Sequence, residues 1–373
     1  MSPIECFINT GSEMLSLDAR FQGASLHGNK LPGSANLTYG QYLGSVARLL
    51  SENSSAALRE LIKKQHKTTP GFEEASRIEL ISEKHGALYS VSRLRIQFAD
   101  EIRSFAVNCA FSEEQQALLQ IEVKLLSDLR SAFGLPYLPA PFIFVSGPGL
   151  MFFVTEWFEN HHEFHLSADS TGTTAPRVWT QGGKDHFLDG AKTGELYAQA
   201  SKILTLYLDS RSFSQIYPWH HAAGDFVVDD SQSPLSLRLI TVRGCRSLLA
   251  RKFDRKDKML GSLHFFVNLC IRMRIDRLDG TGDLAWAGPQ CLLGVIRGFT
   301  EAWETKQDGS GLPKAGEIFS LFLDLSPNER LAFTEIAAED GRIEADEGNF
   351  LTSRLPGHVI ELSDALETFK SGY

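Results

Sequence analysis

The chain has 373 residues, of which 43% are hydrophobic and 22% charged, and its formal net charge is -9. Such a composition belongs to a globular protein with length for two or three domains or lobes. The acidic balance argues against broad binding to nucleic acid or to an anionic membrane surface.

Residues 1 to 40 are rich in Gly, Ser and Asn, with weak periodicity, and read as an irregular lead-in. From Thr38 to Lys64 the apolar positions Tyr42, Val46, Leu49, Leu50, Leu58 and Leu61 recur at helical spacing. That predicts one or two amphipathic helices, interrupted near Ser51–Ser55. Residues 64–74 contain a Pro-Gly pair and read as a linker. Arg77–Glu83 and Leu88–Phe98 alternate across a short turn, which is a hairpin signal, and Ser104–Ala110 predicts a third strand. Ser112, with Gln115 three residues on, opens a helix that runs to Phe133. Its apolar stripe is expected at Leu118, Leu125, Leu129 and Phe133, with the carboxylate of Glu122 on the same face.

A Pro-rich turn at 135–141 leads to strands Phe142–Val145 and Leu150–Thr155, followed by the polar segment Glu156–Ser167. Residues 167–190 read as an insertion or long loop. Gly194–Asp209 predicts a helix. The stretch Tyr217-Pro-Trp-His-His-Ala-Ala-Gly-Asp-Phe-Val-Val228 then gives a polar loop and a short apolar strand, and after an acidic turn the strand Leu237–Arg243 follows. Leu260–Met273 and Pro289–Trp303 are strongly helical. Past Ile318 the pattern predicts a helix at Asn328–Ala338, a turn at Asp340-Gly341, a strand at Gly357–Leu362 and a terminal helix.

Three strands, a helix, two strands and a polar hinge, then helix, loop, strand, turn and strand, is an order that resembles the protein-kinase and aminoglycoside-phosphotransferase superfamily. The resemblance spans residues 77 to 305. It implies an α+β kinase-like bilobal fold, with a small antiparallel β lobe at 76–158 and a larger, mainly helical lobe at 159–310. Residues 1–75 and 311–373 would be extensions. It places Asn108 at the phosphate-pairing Lys of the family's third strand, Glu122 at its helix Glu, and Glu156 in the interlobe hinge Thr155–Glu159. Gly224-Asp-Phe-Val-Val228 matches the family's Gly-Asn-Ile-Leu-Val, which sets Asp225 at a metal-binding position and His220 at the catalytic Asp. Thr241-Val-Arg243 stands in for Asp-Phe-Gly, and Arg243 would face an anion in the interlobe cleft. A second register, with Gly224-Asp225 as the family's Gly-Asp and Asp230 at the Asn, breaks the strand at Phe226–Val228 and is the poorer fit.

Under this alignment three charged positions have become Asn108, His220 and Thr241, whereas Asp225 and Glu122 keep suitable chemistry. Phosphoryl transfer rests on positioning and on charge neutralisation by Lys and two metal ligands. The sequence therefore predicts a pseudokinase-like ligand-binding or regulatory protein whose cofactor is unknown, Mg²⁺ and ATP being the ones the resemblance suggests. The alternative is an atypical phosphotransferase for a small molecule, with His220, His221 and Asp225 as catalytic groups and Asp225 as metal ligand. Plainer roles compete for each residue. The histidines could bond the loop backbone, Asp225 could cap a turn, Arg243 could be a surface charge, and Glu122 could pair with Arg93 or Arg95.

His161-His-Glu-Phe-His165 is not HExxH, has no nearby Cys and reads as solvated loop histidines. Lys252–Lys258 mixes both signs of charge and reads as a solvated segment. Cys6, Cys109, Cys245, Cys270 and Cys291 are odd in number, without CxxC spacing, as expected for free thiols in the cytoplasm. The N-terminus shows no basic-then-apolar signal, and no apolar run approaches the roughly 20 residues of a membrane span. The expected partner is a small-molecule ligand or a protein, with no nucleic acid and no membrane.

Overall fold

The computed structural model describes residues 3–11, 13–18, 20–26, 37–65, 71–85, 89–180, 184–219, 222–249, 254–307, 311–341 and 346–372. These residues form a mixed α and β protein that divides into two units, Met1–Glu159 and Asn160–Thr180 with Lys184–Tyr373.

The first unit starts with β1 (Ile4–Asn9) and β2 (Met14–Ser16), two strands inside the segment expected to be irregular. Helix α1 (Tyr39–Gln65) follows. Asn53, Ser54 and Ser55 inside it take left-handed φ of 51°, 56° and 61°, so the expected interruption is present. Then come β3 (Arg77–His85), β4 (Ser90–Gln97), β5 (Ile102–Ala110), α2 (Glu113–Phe133), β6 (Pro141–Gly147) and β7 (Leu150–Glu156). They make one seven-stranded sheet in the order β2-β1-β3-β4-β5-β7-β6. All pairings are antiparallel except β1 with β3. Tyr42, Leu43, Val46 and Leu50 of α1 fill the core against Leu80, Leu94, Phe105 and Val107, all without exposed surface. Burying side chains of this size contributes about 1.5–3 kcal/mol each. β1 and α1 thus share the core of β3 to β7.

Ser112 caps α2 as its sequence predicts, accepting a bond from the Gln115 N–H at 3.2 Å, and left-handed Gly134 ends it. The buried stripe, however, runs through Gln115, Leu119, Glu122, Leu126 and Leu129. Leu118, expected inside, is 37% exposed.

The second unit contains β8 (His162–Ala168), β9 (Thr174–Trp179), β10 (His186–Phe187), α3 (Gly190–Leu206), β11 (Ser214–Ile216), the single turn α4 (Ala222–Asp225), β12 (Phe226–Asp229), β13 (Ser236–Leu239) and β14 (Cys245–Ser247). It continues with α5 (Arg255–Arg272), β15 (Ile275–Arg277), β16 (Leu284–Trp286), α6 (Gln290–Glu304), α7 (Ala315–Asp324), α8 (Pro327–Asp340) and α9 (Glu347–Lys370). A five-stranded sheet runs β10-β9-β8-β12-β13. The loop expected over 167–190 is therefore largely strand. Pro176 and Val178 alternate inward in β9, a pattern thinned by the polar residues around it. The strand expected at Gly357–Leu362 is helix. Leu351, Leu355, Val359, Leu362 and Leu366 are all buried at helical spacing, and that longer period overrides the local β-like run.

Two charged clusters tie α9 down. Arg272 Nη1 donates to Glu347 Oε2 at 2.7 Å with both side chains essentially sealed from water. Arg274 lies over the Trp286 ring and donates to Glu361 Oε2 at 2.5 Å and to His358 Nδ1 at 3.1 Å. Burial, and then the Arg274 charge, push His358 down to a pKa of about 3. The unfolded chain takes up this proton near pH 6.5, whereas the folded chain refuses it until about pH 3. Each pH unit below 6.5 should then cost about 1.4 kcal/mol from this group. We expect the melting temperature of the second unit to fall between pH 6.5 and 4. His358→Gln, which keeps an acceptor for Arg274, should flatten that slope relative to wild type, and an unchanged slope would show that other groups set it.

Candidate functional site

In the first unit, Val107 points into the core, so strand alternation turns Asn108 to the opposite face of β5, between Val91 and Phe153 of the neighbouring strands. Asn108 is half-buried and uncharged. Glu122 is buried on α2, which packs against β5 and β7. The two arginines weighed as its partners pair with other carboxylates. Arg93 Nε lies 2.7 Å from Glu83, and Arg95 Nη1 lies 2.9 Å from Glu79. Glu156 closes β7. Its N–H donates to the Ala140 carbonyl at 2.9 Å, and its Oε2 receives a long bond of 3.4 Å from the Ala140 N–H.

The second unit brings two of the expected site residues together. The antiparallel pairing of β12 and β13 sets Phe226 opposite Leu239, and the Ile240 N–H donates to the Asp225 carbonyl at 2.9 Å. The chain then bends back, and the Tyr217 N–H reaches the Gly244 carbonyl at 3.0 Å. Gly244 lies so close that a Cβ would stand 2.7 Å from the Tyr217 carbonyl oxygen. Within this clasp Arg243 reaches Asp225 with both arms. Nη1 donates to Oδ2 at 2.9 Å, and Nη2 lies 2.7 Å from Oδ1. Asp225 is 1% exposed. A planar guanidinium matches a carboxylate in this two-pronged way, and the bond is charge-assisted. His220 and His221 lie outside the described residues.

A divalent cation at Asp225 would need several oxygen ligands around it. The carboxylate already faces a cation through both oxygens, and among the described residues no group of three His, Cys, Asp or Glu could hold a metal. Both carboxylate oxygens of Asp225 thus face Arg243.

Sequence reasoning did not find a second polar centre in this unit. His165, expected in a solvated loop, sits in β8 with only 11% of its side chain exposed, its ring 4.8 Å from Trp179. Its Nδ1 faces Asp276 Oδ1 at 3.4 Å, and the other oxygen of Asp276 accepts the Leu166 N–H at 2.6 Å. Ser167 Oγ donates to Asp279 at 2.6 Å. A Cβ at Gly280 would stand 2.9 Å from His165 Nε2, and one at Gly224 would be 3.5 Å from its Cε1. The turn that carries Asp225 thus rests beside this histidine. His165 and Asp276 are 111 residues apart, and no local spacing signals such a pair.

Compared with known proteins, the chain matches no family model and no curated protein. No helix among the described residues is long and apolar enough to cross a membrane.

Proposed function

We propose that the chain is a kinase-like protein that does not transfer phosphate, and that it binds a small ligand or regulates a protein partner. The bidentate capture of Asp225 by Arg243 carries this reading. The alignment gives Asp225 the metal, and here its carboxylate is neutralised by the chain's own cation. Asn108 brings no charge where a phosphate-pairing cation is needed, and Thr241 offers no carboxylate. Loss of these parts removes the positioning and charge stabilisation on which phosphoryl transfer depends. The kinase-like assignment rests on the order of elements read from the sequence over residues 77 to 305. Five free cysteines and a net charge of -9 favour a cytoplasmic protein without nucleic-acid partners.

Thermal melting with ATP, ADP or GTP, each with Mg²⁺ or Mn²⁺, tests the reading. A ligand at a hundred times its Kd adds about 2.7 kcal/mol to the native state, a readable shift. We expect no metal-dependent shift. A shift that disappears in Asp225→Asn would instead favour the atypical phosphotransferase acting through the His220, His221 and Asp225 loop.

A further inference from the structure

The Asp276–His165 pair has the layout of an oriented base. Asp276 is 2% exposed, and its Oδ2 is fixed by the Leu166 N–H, so Oδ1 is held toward His165 Nδ1. A carboxylate on one ring nitrogen fixes the proton there and leaves the lone pair on the other. That other nitrogen, Nε2, makes no hydrogen bond among the described residues, and 11% of the side chain is exposed. Trp179 supports the ring on one side, and two glycines with positive φ, Gly224 at +85° and Gly280 at +74°, bring bare backbone close to it. A buried histidine serving only the core would have both nitrogens bonded or enclosed.

We propose that His165 is a ligand-contacting proton acceptor, positioned by Asp276, that receives a hydroxyl or ammonium group of a small molecule bound beside the Gly224–Asp225 turn. The surroundings choose that class of group. The carboxylates of Asp276 and Asp279 and the lone pair of Nε2 all accept hydrogen bonds, so the site suits a donor and repels an anion. Asp276 is a positioning residue, because it acts on the ligand through the imidazole. The inference deepens the proposed function by giving the second unit a ligand-facing residue, and it rests on that reading for the presence of a ligand.

Two readouts on the intact protein test it. Histidine ¹⁵N spectra should show His165 protonated on Nδ1. Diethylpyrocarbonate, followed by mass mapping, should acylate His165 in the folded protein. Asp276→Asn can keep the Leu166 bond while turning its amide N–H toward Nδ1, which moves the proton to Nε2. Acylation should then slow by roughly tenfold, the equivalent of one pKa unit. An Nε2–H tautomer in the wild type would overturn the proposal, and so would an unreactive His165 or a rate unchanged in Asp276→Asn. The wild-type spectrum answers the question even where the variant does not fold. A nucleotide-dependent melting shift would overturn the proposed function and leave these readouts as they are, so the two failures are separable.

Discussion

Arg243→Met should cost the second unit roughly 3–5 kcal/mol, because it removes the guanidinium that faces a carboxylate with almost no access to water. The charged Asp225 would lose the two short contacts, at 2.7 and 2.9 Å, that offset its desolvation. A methionine has similar length and buries well, so lost packing is a minor part of the expected effect. The double variant Arg243→Met with Asp225→Leu should recover most of the loss, since apolar replacements of a buried pair are often close to neutral. Urea denaturation of the two single variants, the double variant and the wild type closes the cycle. If Arg243→Met melts within about 0.5 kcal/mol of wild type, Asp225 does not depend on Arg243 and the account of the site fails.

Gly298→Ala should be nearly as damaging, by about 3 kcal/mol, for a reason unrelated to charge. Helices α3 and α6 cross with their backbones in contact. A Cβ at Gly298 would stand 1.9 Å from the Ala198 carbonyl oxygen, and one at Gly294 would stand 2.3 Å from that of Gly194. Neither oxygen belongs to a flexible side chain, so the helices must separate along a face that buries Leu196, Ala200, Val295 and Phe299. In an open helix the same exchange stabilises by about 0.5–1 kcal/mol through chain entropy. Gly357 in α9 is such a position, with nothing within 4 Å of its Cβ, and Gly357→Ala is the control. Opposite signs at the two glycines, read by thermal melting, are the expected result. A neutral Gly298→Ala would mean that the two helices yield easily.

The regularities that the sequence displays most strongly are the ones that folded as read. The run that became β4 alternates clearly, and Ser112 with Gln115 marks the start of α2. The face of α2 was harder to read. Leu118-Leu119 and Leu125-Leu126 offer two equivalent stripes, and the buried one runs through Leu119 and Leu126 together with Gln115 and Glu122. At 357–362, five apolar residues spread over four helical turns decided the structure, beyond the reach of a six-residue window. The site was legible in part. Asp225 and Arg243 both stood out as charges at strand ends, but whether they face each other depends on how the chain turns after Ile240. His165 and Asp276 carried no such mark, because a pairing between β8 and β15 is set by the packing of the whole unit.

Whether Asp225 serves the chain or a metal is most directly measured by counting bound Mn²⁺. Paramagnetic resonance of the free ion, titrated into the protein with a non-hydrolysable ATP analogue and into the analogue alone, gives that count. With Asp225 engaged by Arg243, the two titrations should coincide. A stoichiometric Mn²⁺ site present with wild-type protein and lost in Asp225→Asn would contradict the account, returning Asp225 to a metal and the chain to phosphoryl transfer.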